Sequence, residues 1–134
     1  MADLTGRATV AFGAGALGGL ANGLTLWLCG RLGAIEALDI AIAPELTPAW
    51  LYPRIVWGGI WGFLLLLPML ANAWLARGLL LSLAPSVVQL FVVFPLKTSA
   101  GVMGLGLGAA TPVLVLAANA VWGIVAAAWI RLVR

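Results

Sequence analysis

The sequence predicts an all-α membrane protein, four transmembrane helices in one bundle, on three observations. Of 134 residues, 64% are hydrophobic and 8% charged, whereas a soluble domain carries about a quarter charged residues to cover itself in water. The apolar residues fall into four runs, approximately 8–30, 54–75, 79–95 and 112–130. A helix rising about 1.5 Å per residue crosses a hydrocarbon core about 30 Å thick in about 20 residues, so each run is near the length of a span. The cations stand at the edges of these runs, at Arg7, Arg31, Arg54, Arg77, Lys97, Arg131 and Arg134, where they set topology. One membrane domain over 1–134 follows.

The first run, after the polar lead MADLTGR, is too long and glycine-rich for the apolar part of a signal peptide and is expected to stay as the first span. Gly15, Gly19 and Gly23 recur every four residues and stack on one helix face, with Ala14, Gly18 and Asn22 as a second strip beside it. Small residues let helix backbones approach closely where lipid removes the hydrophobic drive, so both strips read as packing faces within the chain, or as a self-association face.

Residues 31–53 hold three of the four acids, Glu36, Asp39 and Glu45, with Pro44, Pro48 and Pro53. The proline spacing breaks any long helix and predicts an extracytoplasmic loop. A short amphipathic piece over 33–43, with Ile35, Leu38 and Ile42 on one face, suits the membrane surface. Trp50 and Tyr52 suit interfacial anchors ahead of the second span.

That span repeats the small-residue device at Gly58 and Gly62, with Pro68 as an expected kink and Asn72 near its end. A tight LARG connector, with Arg77 as its charge and Gly78 as its pivot, then predicts a hairpin whose helices, 54–75 and 79–95, touch. Pro85 and Gln89 lie within the third span, and proline there marks a bend. Residues 97–111 read as a glycine-rich loop. They lack the Lys-Ser/Thr that would make a phosphate loop. Pro112 suits the start of the fourth span, which carries Asn119. The Trp61-Gly62 and Trp122-Gly123 dipeptides suggest that spans one–two and three–four are related by a pseudo-two-fold axis.

On these boundaries no ionisable residue falls inside a span, which leaves the amides Asn22, Asn72, Gln89 and Asn119 as the intramembrane polar groups, one per span. They read as packing glue, as a polar track for a small solute, or as donors to a bound lipid, quinone or pigment. The chain contains no histidine and one cysteine, Cys29. The commonest metal ligand and a catalytic imidazole are thereby missing, so no catalytic residue, metal site or resident cofactor is expected. The net charge of +3 is scattered and makes no nucleic-acid patch.

The run LLLSLAPSVVQLFVVFPL at 79–96, the glycine-bearing loop after it and the ending VWGIVAAAWIR at 121–131 resemble the C-terminal half of the YagU-like inner-membrane proteins. The glycine-rich first span followed by Gly33 and Glu36 is similar in outline. The resemblance implies a small four-span protein of the bacterial inner membrane. Arg7, Arg77, Arg131 and Arg134 against Arg31, Arg54 and Lys97 place both termini in the cytoplasm. Two functional classes follow. One is a non-catalytic accessory subunit packed against other membrane-protein subunits, as in a photosynthetic or respiratory complex. The other is a homo-oligomeric channel or carrier for a small solute, acting through the amides.

Overall fold

A computed structural model of the chain describes residues 3–133; Arg134, one of the expected cytoplasmic cations, lies outside the described residues. The described chain is helical, with α1 at Leu4–Arg31, α2 at Ala34–Ala37, α3 at Pro48–Gly62, α4 at Trp74–Val88, α5 at Phe94–Lys97 and α6 at Thr111–Val133. A 3₁₀ turn, Phe63–Leu66, extends α3, and a π turn, Gln89–Val93, joins α4 to α5. Four segments are long and apolar enough to cross a membrane: Leu4–Arg31, Pro48–Leu66, Trp74–Lys97 and Thr111–Val133. Their outward residues are apolar, among them Leu17 and Leu24 on α1, Val56 and Ile60 on α3, Leu83 and Val87 on α4, and Val113 on α6. An integral membrane protein built as a four-helix bundle is the result.

The second span differs from the sequence expectation at both ends. It starts at Pro48, not Arg54, because Thr47 caps the helix, its hydroxyl accepting from the Trp50 N–H at 3.2 Å, and Pro48 fills the first helical position. Pro53 is carried inside the helix. It stops at Leu66, not Leu75, because Pro68 pushes Leu67 into extended backbone at φ −69°, ψ 136°. Pro68 ends the helix and does not kink it. The connection is then 67–73, and the LARG segment lies within α4.

Arg77 and Gly78 are consequently buried parts of a helix. Arg77 Nη2 donates to the Leu65 and Leu67 carbonyls. Carbonyls at the end of a helix lack intrahelical donors, and the proline at position 68 offers no N–H. A guanidinium from the next helix meets that need and suits the negative end of the helix dipole.

Packing follows an order the sequence did not predict. α1 packs against α3 and against α6, and α6 packs against α4. α3 and α4 scarcely meet, so the contact expected along the 54–97 hairpin is confined to its turn end, where Arg77 and Leu81 approach Leu65. A two-fold axis relating spans one–two to three–four would bring α3 against α4 as α1 lies against α6, so that expectation fails as well.

Glycine explains which pairs close. Gly15 and Gly19 face Gly58 and Gly62 across α1–α3, and Gly78 faces Gly123 across α4–α6, with backbone against backbone. Gly18, on the second strip, makes room for the Trp122 ring of α6. Gly23 differs in facing side chains, those of Leu51, Arg54 and Trp50. The two strips of α1 thus serve two different neighbours.

One end of the bundle is closed by the two long connections. The expected amphipathic piece is reduced to the single turn α2, which ends where Asp39 turns left-handed at φ 56°. The chain folds back there and buries Ile35 and Ile40 with Leu26, Leu114 and Ala118, while Leu38 stays exposed. Ala41 N–H donates to the Leu107 carbonyl at 2.8 Å, tying this connection to 98–110. Gly108 lies against the Asp39 carbonyl with φ 149°, a conformation and a clearance that only glycine supplies.

Candidate functional site

Because α3 and α4 stay apart, the bundle is open along that side. The gap is a cavity of about 470 Å³ floored by α1 and α6 and walled by α3 and α4. Its volume falls in the range of small-molecule pockets, about 300–1,000 Å³. Gly19 and Asn22 of α1 and Asn119 and Trp122 of α6 form the floor. Trp50, Arg54, Trp57 and Trp61 line one wall; Pro85, Val88, Gln89 and Val93 line the other.

A polar layer crosses all four spans at this cavity. Arg54 Nη1 donates to Asn22 Oδ1 at 3.0 Å, and Asn22 Nδ2 donates to Asn119 Oδ1 at 3.1 Å. Asn119 Nδ2 donates to Ser86 Oγ at 3.0 Å, and Ser86 Oγ donates to the Ser82 carbonyl at 2.8 Å. A second, longer contact runs from Asn119 Nδ2 to Gln89 Oε1 at 3.5 Å. The layer has a direction. A guanidinium only donates, so it turns the oxygen of Asn22 toward itself and the amide nitrogen toward Asn119. The same alignment passes through Asn119 to Ser86 and ends on a backbone carbonyl. Such a chain of aligned dipoles strengthens itself in a low-dielectric interior.

Each member reaches the layer for a local reason. Asn22 lies on the α1 strip that faces α6, and Asn119 opposes it from α6. Arg54 lies one helical turn before Gly58, so the close α1–α3 approach brings it over Asn22. Pro85, inside α4, cannot donate to its preceding turn, and the π turn begins four residues later at Gln89. Bulges of this kind commonly accompany functional sites. One turn along α6 from Asn119, the Trp122 indole Nε1 donates to the Gly15 carbonyl at 3.1 Å and the Gly58 carbonyl at 3.2 Å, locking three helices together.

The cavity-lining members of the layer lie at similar depths. Arg54, Asn22, Gln89 and Asn119 sit roughly six to nine residues inside the connection end of their spans, about 9–14 Å at about 1.5 Å per residue, with Ser86 about one turn deeper. Polar groups at one depth form a site, whereas a conducting track needs them in succession through the bilayer.

Of the sequence-predicted amides, the fold brings together Asn22, Gln89 and Asn119. Asn72 does not join them. It is exposed in the 67–73 connection at the opposite end, beside a second cavity of about 280 Å³ with Trp74, Arg77 and Arg131. The predicted packing glycines Gly15, Gly19, Gly23, Gly58 and Gly62 are all buried in the bundle. Arg54, Ser86 and Trp122 were not predicted as site residues. Arg54 was assigned to the end of its span and Arg77 to the connector between two spans, so the expectation of spans free of ionisable groups is corrected at both. The signal that could have found Arg54 is Thr47-Pro48, a helix start two turns ahead of it.

Tryptophan covers the arginines at both ends of the bundle. Arg54 lies 4.4 Å from the Trp50 ring centroid, Arg31 5.8 Å from that of Trp27 and Arg131 5.5 Å from that of Trp74. The outer two pairs suit the aromatic belts of a membrane protein, while the Trp50–Arg54 pair belongs to the cavity. No family model, no curated protein and no solved structure matches the chain.

Proposed function

We propose that this chain is a non-catalytic integral membrane protein whose cleft receives a small ligand from the bilayer, as a binding protein or carrier. The observation that carries this reading is the polar layer lining an open, mostly aromatic cavity. Intramembrane polar groups are costly unless they pair or serve a ligand, and here the pairing stops short of filling the space beside it. Access is lateral, since Trp57 lines the cleft and is 59% exposed on the side where α3 and α4 part. The lining groups donate hydrogen bonds and offer aromatic faces. Arginine does not deprotonate in proteins and an amide is neither base nor nucleophile, so binding is the chemistry this set supports.

The cleft lies within one chain, which makes a homo-oligomer unnecessary for enclosing it. The accessory-subunit reading survives as a second one, favoured by a specific feature: the gap between α3 and α4 also suits an apolar element of a neighbouring subunit. Native mass spectrometry of the protein drawn from its own membrane in a mild detergent separates the two. A chain carrying a small molecule at fixed stoichiometry supports the binding reading. Fixed stoichiometry with other membrane subunits and no small molecule supports the accessory one, and a bare chain sinks both.

For orientation, we place both termini in the cytoplasm of a bacterial inner membrane. Arg54 and Arg77 are engaged inside helices, which leaves Arg7, Arg131 and Arg134 on the terminal side against Arg31 and Lys97 on the other. The cleft then sits in the outer half of the bilayer. A fluorescent-protein fusion at the C-terminus should light up, whereas a periplasm-dependent phosphatase fusion at the same site should stay inactive; the reverse pair of results overturns the assignment.

A further inference from the structure

We propose that the cleft between α3 and α4 binds an anionic amphiphile, its carboxylate or phosphate head on Arg54 and its hydrocarbon chain along Trp57 and Trp61. The inference rests on the binding reading above and adds the chemical class of the ligand.

Arg54 is the starting point. It lies in the second turn of α3, within a membrane-spanning segment, and lines the cavity. The acids near this end of the bundle, Glu36, Asp39 and Glu45, are exposed in the connection 32–47, and Arg54 forms no ion pair with any described residue. Its contacts are one hydrogen bond to Asn22 and the face of Trp50. A guanidinium carries five N–H donors in a planar fork that matches the paired oxygens of a carboxylate or phosphate. A half-buried guanidinium within a membrane span favours an opposite charge beside it, and none of the described acids pairs with it.

The surroundings hold the fork ready. Trp50 covers one face of the guanidinium, and Asn22, fixed by Asn119, holds one of its nitrogens. The side chain is thus pre-oriented with donors left over, the arrangement that binds tightly because little ordering remains to be done. Beyond Arg54 the walls are Trp57, Trp61, Pro85, Val88 and Val93, with no second charge. A free inorganic anion has no use for that surface, and a cation is repelled by Arg54. An acyl or isoprenoid chain ending in an anion satisfies both parts, and the lateral opening admits it from lipid.

The test uses the tryptophans as reporters, since bromine quenches indole fluorescence on contact. Purified full-length protein in neutral detergent is titrated with dibromostearate, with its methyl ester, and with phosphatidic acid and phosphatidylcholine bearing the same dibrominated chain. Alkaline buffer keeps the acid ionised. Each probe is compared between wild type and Arg54→Gln, which cancels its partitioning into detergent. The expected result is saturable quenching, with an anionic probe binding about tenfold or more tightly to wild type than to Arg54→Gln and the ester binding both alike. A difference between wild type and Arg54→Gln with the stearate identifies a free carboxylate as the favoured head, and a difference with the phosphatidate a phosphate. Asn22→Asp is a second variant, which places a carboxylate on Arg54 from within; should Arg54→Gln fail to fold, Asn22→Asp is expected to remove the wild-type preference for an anionic probe over its uncharged or zwitterionic counterpart. Equal saturable quenching of wild type by each anionic probe and its uncharged or zwitterionic counterpart overturns the anion inference and leaves the cleft as a neutral-ligand site. Absence of saturable quenching by every probe overturns the binding reading itself.

Discussion

Gly58→Leu is expected to separate α1 from α3 and to lower stability by more than about 3 kcal/mol, beyond the usual cost of overpacking a core. A Cβ at Gly58 would lie 2.6 Å from the Gly15 carbonyl oxygen and 2.8 Å from the Gly19 Cα. Both are backbone atoms, which cannot rotate away as a side chain does. The helices must move apart, and that movement also draws the Gly58 carbonyl from Trp122 and Arg54 from Asn22. Membrane helices associate through close van der Waals contact with no hydrophobic drive to hold them at a distance, so the loss is not recovered elsewhere. Gly13 supplies the control: a Cβ there meets nothing within 4 Å. Gly13→Ala should be neutral or stabilising by about 0.5–1 kcal/mol through helix propensity. Thermal midpoints in mild detergent, read by loss of the monodisperse peak, give the comparison. Equal midpoints for the two variants would show that the close α1–α3 approach does not hold the bundle together.

The glycine strips were legible in the sequence because their spacing is local: a four-residue repeat defines a helix face whatever the neighbour turns out to be. The identity of the neighbour was not. Gly15, Gly19, Gly58 and Gly62 find each other through α1 and α3, but Gly78 was read as a turn pivot, and its partner Gly123 was not assigned as a packing glycine. Hydropathy counted residues 67–75 as membrane because PMLANAWL is apolar, while the backbone restriction before Pro68 had already ended the helix. That error of about two turns moved Arg77 from a buried helix cap into a turn. At the other end, reading Pro53 as the last loop residue pushed Arg54 to the membrane boundary. Proline is tolerated inside a membrane helix, and the cap at Thr47 carries more information about where α3 starts. For the site, three of the four amides were found from residue type alone. The cavity beside them depends on α3 and α4 standing apart, which no periodicity encodes. Ser86 and Trp122 enter only through tertiary contact.

Asn119→Leu tests whether the polar layer acts as a unit. The substitution is close to isosteric, and it removes the acceptor for Asn22 and the donor to Ser86 together. Single interhelical hydrogen bonds in membranes average about 0.6 kcal/mol and reach about 1.7. Here two are lost and the Asn22 amide nitrogen is left without its partner, so a cost of about 1–3 kcal/mol is expected. Gln89→Leu should cost little by comparison, because its contact with Asn119, at 3.5 Å, is at the limit of a hydrogen bond. The larger consequence is for Arg54. Asn22 holds the guanidinium only while Asn119 holds Asn22, so Asn119→Leu should weaken binding of the anionic probe even though Asn119 lies on the far side of Asn22 from the charge. Coupling of this kind is measured by a double-mutant cycle. Once Asn119 is gone, Asn22→Leu removes an amide that has already lost one of its two partners, and the pair should cost less than the sum of the single substitutions by about 0.5 kcal/mol or more. Strict additivity would mean that the amides sit side by side without aligning one another, and the pre-orientation of Arg54 would then have to come from Trp50 alone.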